Sequence, residues 1–118
     1  MPRARAAAVA AFLPLKPNQY LLLVALVDGD GHAYALKKEV ARRTDDRVRL
    51  GPGTLHRSLA RLVERNLIEE SPHRPSPSRD DERRRYYRLT ALGRAVLAAE
   101  TDRLAALIAA ARKTRWAR

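Results

Sequence analysis

The apolar residues of this chain fall into runs whose spacing switches between helical and strand periods, and each switch marks the edge of an element. Tyr20, Leu21, Leu23, Val24, Leu26 and Val27 are dense enough for a buried helix over residues 17–28, with Pro17 suited to its first turn and Gly29 and Gly31 ending it. Residues 33–44 predict a second helix: Ala33, Leu36 and Val40 share one face, while Lys37, Lys38, Arg42 and Arg43 spread over the other. Thr44, Asp45 and Asp46 stop it. Basic and apolar residues alternate over 47–50, which predicts a very short strand turning Val48 and Leu50 to the core. A third helix is predicted over 52–66, with Leu55, Leu59, Leu62 and Val63 on its buried side. Thr54, Arg57, Ser58, Arg61 and Glu64 are left on the surface.

Ile68–Ser71 and residues 84–89 read as an antiparallel pair, with Tyr87 and Leu89 on one face of the second strand and Tyr86 and Arg88 on the other. Between them Pro72, Pro75 and Pro77 exclude helix, and Arg74, Arg79, Arg83 and Arg84 alternate with Asp80, Asp81 and Glu82 in a polar hairpin tip. Thr90 is placed to cap a last helix over Ala91–Arg112, where an interior glycine, Gly93, implies close backbone packing. Leu97, Thr101, Leu104, Ile108 and Ala111, joined by Leu107, form a stripe along that helix. Its length favours pairing with a second subunit, packing on the domain's own first helix being the alternative. The order helix, helix, helix, hairpin, helix is mainly α with a small β-hairpin: a winged helix-turn-helix followed by a C-terminal dimerisation helix. It divides the chain into an arm (1–15), a winged helix-turn-helix DNA-binding domain (16–90), and a dimerisation helix with a basic tail (91–118).

A length of 118 residues suits one domain, and a net charge of +11 points to a polyanionic partner. Nucleic acid is favoured over a membrane surface because the charge is not concentrated on one amphipathic helix. With no cysteine, a disulfide scaffold, a thiolate zinc site and a cysteine nucleophile are excluded, and a cytoplasmic setting is expected. The run from Ala6 to Leu13 after Arg3 and Arg5 weakly imitates a signal peptide, but it is alanine-rich and stopped by Pro14. No apolar stretch approaches the roughly 18 residues of a membrane span. A short helical or frayed arm is the expectation.

Arg57 and Arg61 can each donate two hydrogen bonds to a guanine edge or hold phosphates, and Thr54, Ser58 and the free amides near Gly53 suit phosphates at a helix start. A solvated charged face is the competing reading, and the basic hairpin that follows shifts the balance toward contact. Arg83, Arg84 and Arg85 can neutralise phosphates or enter a minor groove, or else pair with the acids beside them. Arg112, Lys113, Arg115 and Arg118 read as a solvated end. His32, His56 and His73 lack metal-site spacing, so no metal or cofactor is expected, and His56 either contacts a phosphate or packs. No enzyme is indicated: residues 51–54 lack the lysine and glycine spacing of a phosphate-binding loop. Six aromatic residues, four Tyr, one Trp and one Phe, supply little for a single-stranded RNA platform.

The segments PNQYLLLVAL, GHAYALKKEV, RVRLGPGTLHRSLARLVERNLIEE and DDERRRYYRLTALG together resemble PadR-family transcriptional regulators of the short type. The resemblance implies a homodimer reading a pseudo-palindromic operator on double-stranded DNA, joined through its first and last helices. It also implies repression relieved by a small-molecule effector or another signal. Pro52, Gly53, Thr54, Leu55 and Ser58 then fall at the recognition-helix start, and Arg84 and Arg85 in the wing. Two positions depart from the family pattern: His56 stands where tyrosine is usual, and Gly51 where a serine or threonine cap is usual. Trp116 lies beyond the predicted helix end and is given no ligand. The alternative function is a winged-helix protein-protein interaction module without sequence-specific DNA binding.

Overall fold

A computed structural model of the chain describes residues 3–72 and 85–114. The elements run α1 (Arg3–Ala10), α2 (Pro17–Ala25), β1 (Gly31–His32), α3 (Ala33–Arg43), α4 (Pro52–Glu64), β2 (Ile68–Ser71), β3 (Tyr86–Leu89) and α5 (Ala91–Arg112). The predicted hairpin tip, with Arg83 and Arg84, lies outside the described residues, as do Arg115, Trp116 and Arg118.

The helices form where the apolar spacing places them, and one core joins them. Leu22, Leu23 and Leu26 of α2 meet Leu36 and Val40 of α3, Leu55, Leu59 and Leu62 of α4, and Val96 and Leu97 of α5. Burying one such aliphatic side chain is worth about 1.5–3 kcal/mol, so the shared stripe holds α3 and α4 as a helix-turn-helix pair against α2. Pro17 opens α2 at its first position. His32 caps α3, its Nδ1 accepting the Ala35 N–H at 3.2 Å. Thr44 ends α3 by donating to the Val40 carbonyl at 2.9 Å and accepting the Val48 N–H at 3.1 Å.

The sheet differs from the predicted hairpin in its third member. Residues 47–50 form no strand, although Leu50 is buried and Val48 half-buried as the alternation required. The third strand is β1, and the order is β1-β3-β2, all antiparallel, with Gly31 opposite Tyr87 and Ile68 opposite Leu89. Two residues, a glycine and a helix cap, carry no period that a sequence reading can detect. Val63 is a second correction: it is 43 % exposed, because it lies at the edge of the stripe that Leu55, Leu59 and Leu62 bury. Tyr86, on the strand face it shares with the exposed Arg88, is buried, its ring meeting His32 edge to face with centroids 5.3 Å apart.

The end of α4 and the start of α5 are built against each other. Asn66 takes a left-handed conformation (φ 61°), the Asn66 N–H bonds to the Val63 carbonyl at 2.9 Å, and the Leu67 N–H to the Leu62 carbonyl at 3.0 Å. This pairing terminates a helix and satisfies its last carbonyls. The next carbonyl, of Leu67, accepts the Thr90 N–H at 3.2 Å. Thr90 Oγ1 donates to the Asn66 carbonyl at 2.6 Å and accepts the Gly93 N–H at 2.9 Å, which makes Thr90 the cap that the sequence predicts. Gly93 lies directly over Leu67: an added Cβ would overlap the Leu67 oxygen and approach its carbonyl carbon to 2.9 Å.

The N-terminal arm is helical and docked on α5. Val9 and Leu15 enter the core, and the Leu15 N–H donates to the buried Glu100 carboxylate at 2.7 Å. Arg103, one turn further on, pairs with the same carboxylate. The hydrogen bond from Arg103 holds the Glu100 carboxyl below the usual carboxylate range; burial opposes this shift and the Leu15 N–H assists it. The arm and α5 are therefore joined through a charge that must stay ionised.

Two outcomes follow from these junctions. Gly93→Ala is expected to destabilise the fold by about 2 kcal/mol or more in urea unfolding, since overlap with a backbone oxygen outweighs alanine's helix preference of about 1 kcal/mol. Because the folded-state value of Glu100 is depressed, its pairing stabilises the fold above the unfolded carboxylate value of about 4.3, and that stabilisation is lost as pH falls through the folded value. Glu100→Gln should therefore lower the Tm at neutral pH, with the gap to the parent protein closing on acidification. A gap that stays constant down the pH series would remove the carboxylate as its source.

Candidate nucleic-acid interface

Helix α4 presents its polar face to solvent because its leucines at 55, 59 and 62 fix the opposite side in the core. Gly51 occupies the N-cap in an extended conformation and offers no side-chain cap, and Pro52 takes the first helical position. The first-turn N–H groups are consequently left without a side-chain acceptor, and the helix dipole adds partial positive charge at the same end. An anion is the natural complement.

Arg57 and Arg61 stand on this face, both exposed, with Thr54 and Ser58 half-buried between them. The Arg57 guanidinium folds back over the helix start: its Nη2 donates to Thr54 Oγ1 at 3.4 Å, and its Nη1 lies 3.2 Å from where a Cβ on Gly53 would sit. A glycine at 53 thus leaves space for the guanidinium over the first turn. Arg61 pairs with Glu64 at 3.4 Å, and both side chains are more than 60 % exposed. So open a pair contributes little and is readily exchanged for a phosphate. His56 is exposed on the first turn and is not packed into the core.

The sheet supplies the second basic element. Arg85 is exposed immediately before β3, while Arg88 is matched across the strands by Glu69 at 2.9 Å. Arg85 therefore stands with Arg57 and Arg61 as an available cation, and Arg88 braces the base of the hairpin. The face of α4 also borders residues that the helical wheel of α4 alone does not bring in. A cleft of about 590 Å³ separates it from the first turn of α2, where Lys16, Pro17, Asn18 and Gln19 form the opposite wall. A lysine directly before the proline that opens α2 is the one sequence signal that could have drawn attention there.

The residues expected to pair two subunits divide in two. Leu97 is buried in the protomer's own core. Leu104 and Ala111 are half-buried, and Leu107 and Ile108 are 54 % and 53 % exposed on the part of α5 that extends past the domain. Beside them an apolar groove of about 500 Å³ runs between α2 and α5, lined by Tyr20, Val24, Val27, Leu97 and Ala98, with Arg94 and Asp102 at its polar margin. Tyr20 and Thr101 share a hydrogen bond of 2.8 Å across it. Among the described residues no cluster of His, Asp or Glu could hold a metal ion, and no helix is long and apolar enough to cross a membrane.

Comparison with known proteins matches this architecture. The chain is 36 % identical over 89 residues to an uncharacterised 37.1 kDa protein in transposon TN4556 of Streptomyces fradiae, covering 75 % of this chain but only 23 % of that protein's length. It is similar in structure to a transcriptional regulator from Clostridium thermocellum, with a TM-score of 0.66, 20 % identity and coverage of 92 % of this chain and 98 % of the other. It is also similar to a PadR family transcription regulator from Clostridium difficile, with a TM-score of 0.61, 26 % identity and coverage of 78 % and 91 %. The fold is a winged helix of the DNA-binding kind. The model of the transcriptional regulator PadR-like family matches residues 22–99, two-thirds of the chain from α2 into α5, and the chain belongs to that family.

Proposed function

We propose that this protein is a dimeric, sequence-specific DNA-binding repressor of the cytoplasm. The observation that carries the reading is the polar face of α4, whose uncapped first turn and available arginines at 57 and 61 lie on the side that the core leaves free. Pro52, Gly53, Thr54, His56, Arg57, Ser58 and Arg61 form the recognition surface, and Arg83, Arg84 and Arg85 form the wing contact. The arginine face reads base edges in the major groove, and the wing holds backbone phosphates.

Dimerisation supplies the second half-site. Leu104, Leu107, Ile108 and Ala111 form an apolar strip with no cover in the protomer beyond the partial burial of Leu104 and Ala111. Leu97 backs the strip from the core. A second copy that covered this strip and the α2–α5 groove would place two α4 helices in successive major grooves about 34 Å apart. The resemblance in sequence implies repression relieved by a signal. The apolar groove with Arg94 and Asp102 at its margin is where a small-molecule effector would bear on the subunit contact.

Arg57→Ala is expected to weaken operator binding by about 10- to 100-fold and to flatten base preference at one position, measured by competition against a library of half-sites. Unchanged affinity and preference would remove Arg57 as a base reader. Leu107→Asp combined with Ile108→Asp should convert the protein to a monomer in sedimentation equilibrium and abolish two-site footprints while the helical content stays intact. Duplex DNA binding that is absent at low salt, or that does not fall as salt rises, would favour an interaction module for a protein partner instead.

A further inference from the structure

Lys16, Asn18 and Gln19 on the α2 side of the cleft face Thr54, Arg57 and Arg61 on the α4 side. Gln19 is only 6 % exposed. Its Oε1 accepts from Arg65 Nη1 at 3.1 Å, and the Arg65 guanidinium lies over the Phe12 ring, 4.7 Å from its centroid. A guanidinium only donates, so this bond fixes which end of the amide is the oxygen. The NH₂ end has no partner among the described residues. Since no buried side-chain nitrogen among the described residues lacks a partner, that NH₂ must meet solvent, and Gln19 borders the cleft. A nearly buried amide is thus held with its donor facing outward.

The surroundings of this amide are matched to an anion. The first turn of α2 has no side-chain cap, so its N–H groups open on the same space. Lys16 is exposed and forms no ion pair among the described residues, and Arg57 likewise has no acidic partner. No carboxylate lines the cleft. Donors and cations converge from two helices on one space, and the side-chain acceptors among its lining residues are neutral: the Thr54 and Ser58 hydroxyls, the Asn18 amide oxygen, and the Gln19 oxygen already taken by Arg65. Oxygen acceptors carrying negative charge are what such a set recognises.

We propose that this cleft seats a phosphodiester of the DNA backbone, with the Gln19 amide and Lys16 as its ligands on α2, so that α2 is a third DNA-contacting element beside α4 and the wing. The proposal rests on the DNA-binding reading above and deepens it. A backbone contact carries no sequence information but fixes how the protein sits on the duplex. Held between α2 and α4, the phosphate sets how far α4 enters the groove. Arg65 and Phe12 are positioning residues: they hold the amide through its oxygen and do not touch DNA.

The test compares Lys16→Ala and Gln19→Met with the parent protein on operator and on unrelated duplex, with thermal melts as a check on folding. Lys16→Ala should reduce the slope of log K against log salt by about 0.9 on both duplexes. Gln19→Met leaves the net charge unchanged; it should weaken both duplexes by about tenfold, with the ratio between them preserved. Should Gln19→Met melt early, Gln19→Glu keeps an acceptor for Arg65, sets an anion against the phosphate, and is expected to show the larger loss. Folded variants with parental affinity and slope on a parent that binds DNA would overturn the α2 site and leave the DNA reading standing. A parent that binds no DNA would overturn the DNA reading itself. In NMR titrations the Gln19 side-chain amide signal should shift with duplex. A shift with inorganic phosphate alone, and none with duplex, would assign the cleft to a small anion and also overturn the proposal.

Discussion

The contact between the Gly93 backbone and the Leu67 carbonyl governs the rest of the molecule, because it is where α4, the sheet and α5 meet with no side chain between them. Leu67 closes the turn that ends α4 and leads directly into β2, and its carbonyl already accepts the Thr90 N–H. Only a residue without a Cβ allows α5 to lie this close. The orientation of α5 is therefore set relative to the end of α4 by backbone geometry, which is stiffer than any packing of flexible side chains. In a dimer joined through α5, the spacing of two recognition helices would inherit that stiffness.

A second set of ties runs from the opposite end of the chain. Residues that looked like a frayed arm reach two elements at once: Leu15 is bound by Glu100 of α5, and Phe12 lies under the Arg65 guanidinium at the end of α4. Arg65 in turn orients Gln19 at the start of α2. Glu100 is almost fully buried and tolerates this only because Arg103 and a backbone N–H satisfy it. The arm thus links α5 with the end of α4 and, through Arg65, with the start of α2.

The charges follow a division of labour. Glu39 accepts from Arg42 and Arg43, whose hydrogen bonds lower its carboxyl to about 2, and Arg43 also reaches Asp28 at 3.4 Å, so both arginines that end α3 are paired. Arg88 is likewise matched by Glu69. By contrast Lys16, Arg57 and Arg85 have no acidic partner among the described residues, and Arg61 has only a solvent-open one. Lys37, Lys38, Arg94 and Lys113 are likewise without an acidic partner among the described residues, so the net charge of +11 is carried on several surfaces. Its uncompensated part includes the face of α4 and the cleft beside it.

The sequence by itself determined the helices, the Thr90 cap, the close approach at Gly93 and the polar face of α4. The helices, the Thr90 cap and the polar face of α4 depend on residues within a turn or two of one another, so local spacing specifies them, whereas Gly93 signals a close approach locally and only the packing makes Leu67 what it approaches. The tertiary structure alone decided that Gly31–His32 completes the sheet, that Val63 is exposed and Tyr86 buried, and that Glu100 and Gln19 are held polar groups in the interior. Glu100 meets Leu15 across 85 positions and Gln19 meets Arg65 across 46. A lone Glu on a helix face or a Gln in a first turn has the same local pattern whether it meets water or a partner. What distinguishes them is which distant segment the core brings against them, and that is fixed only when the whole set of apolar faces is packed together.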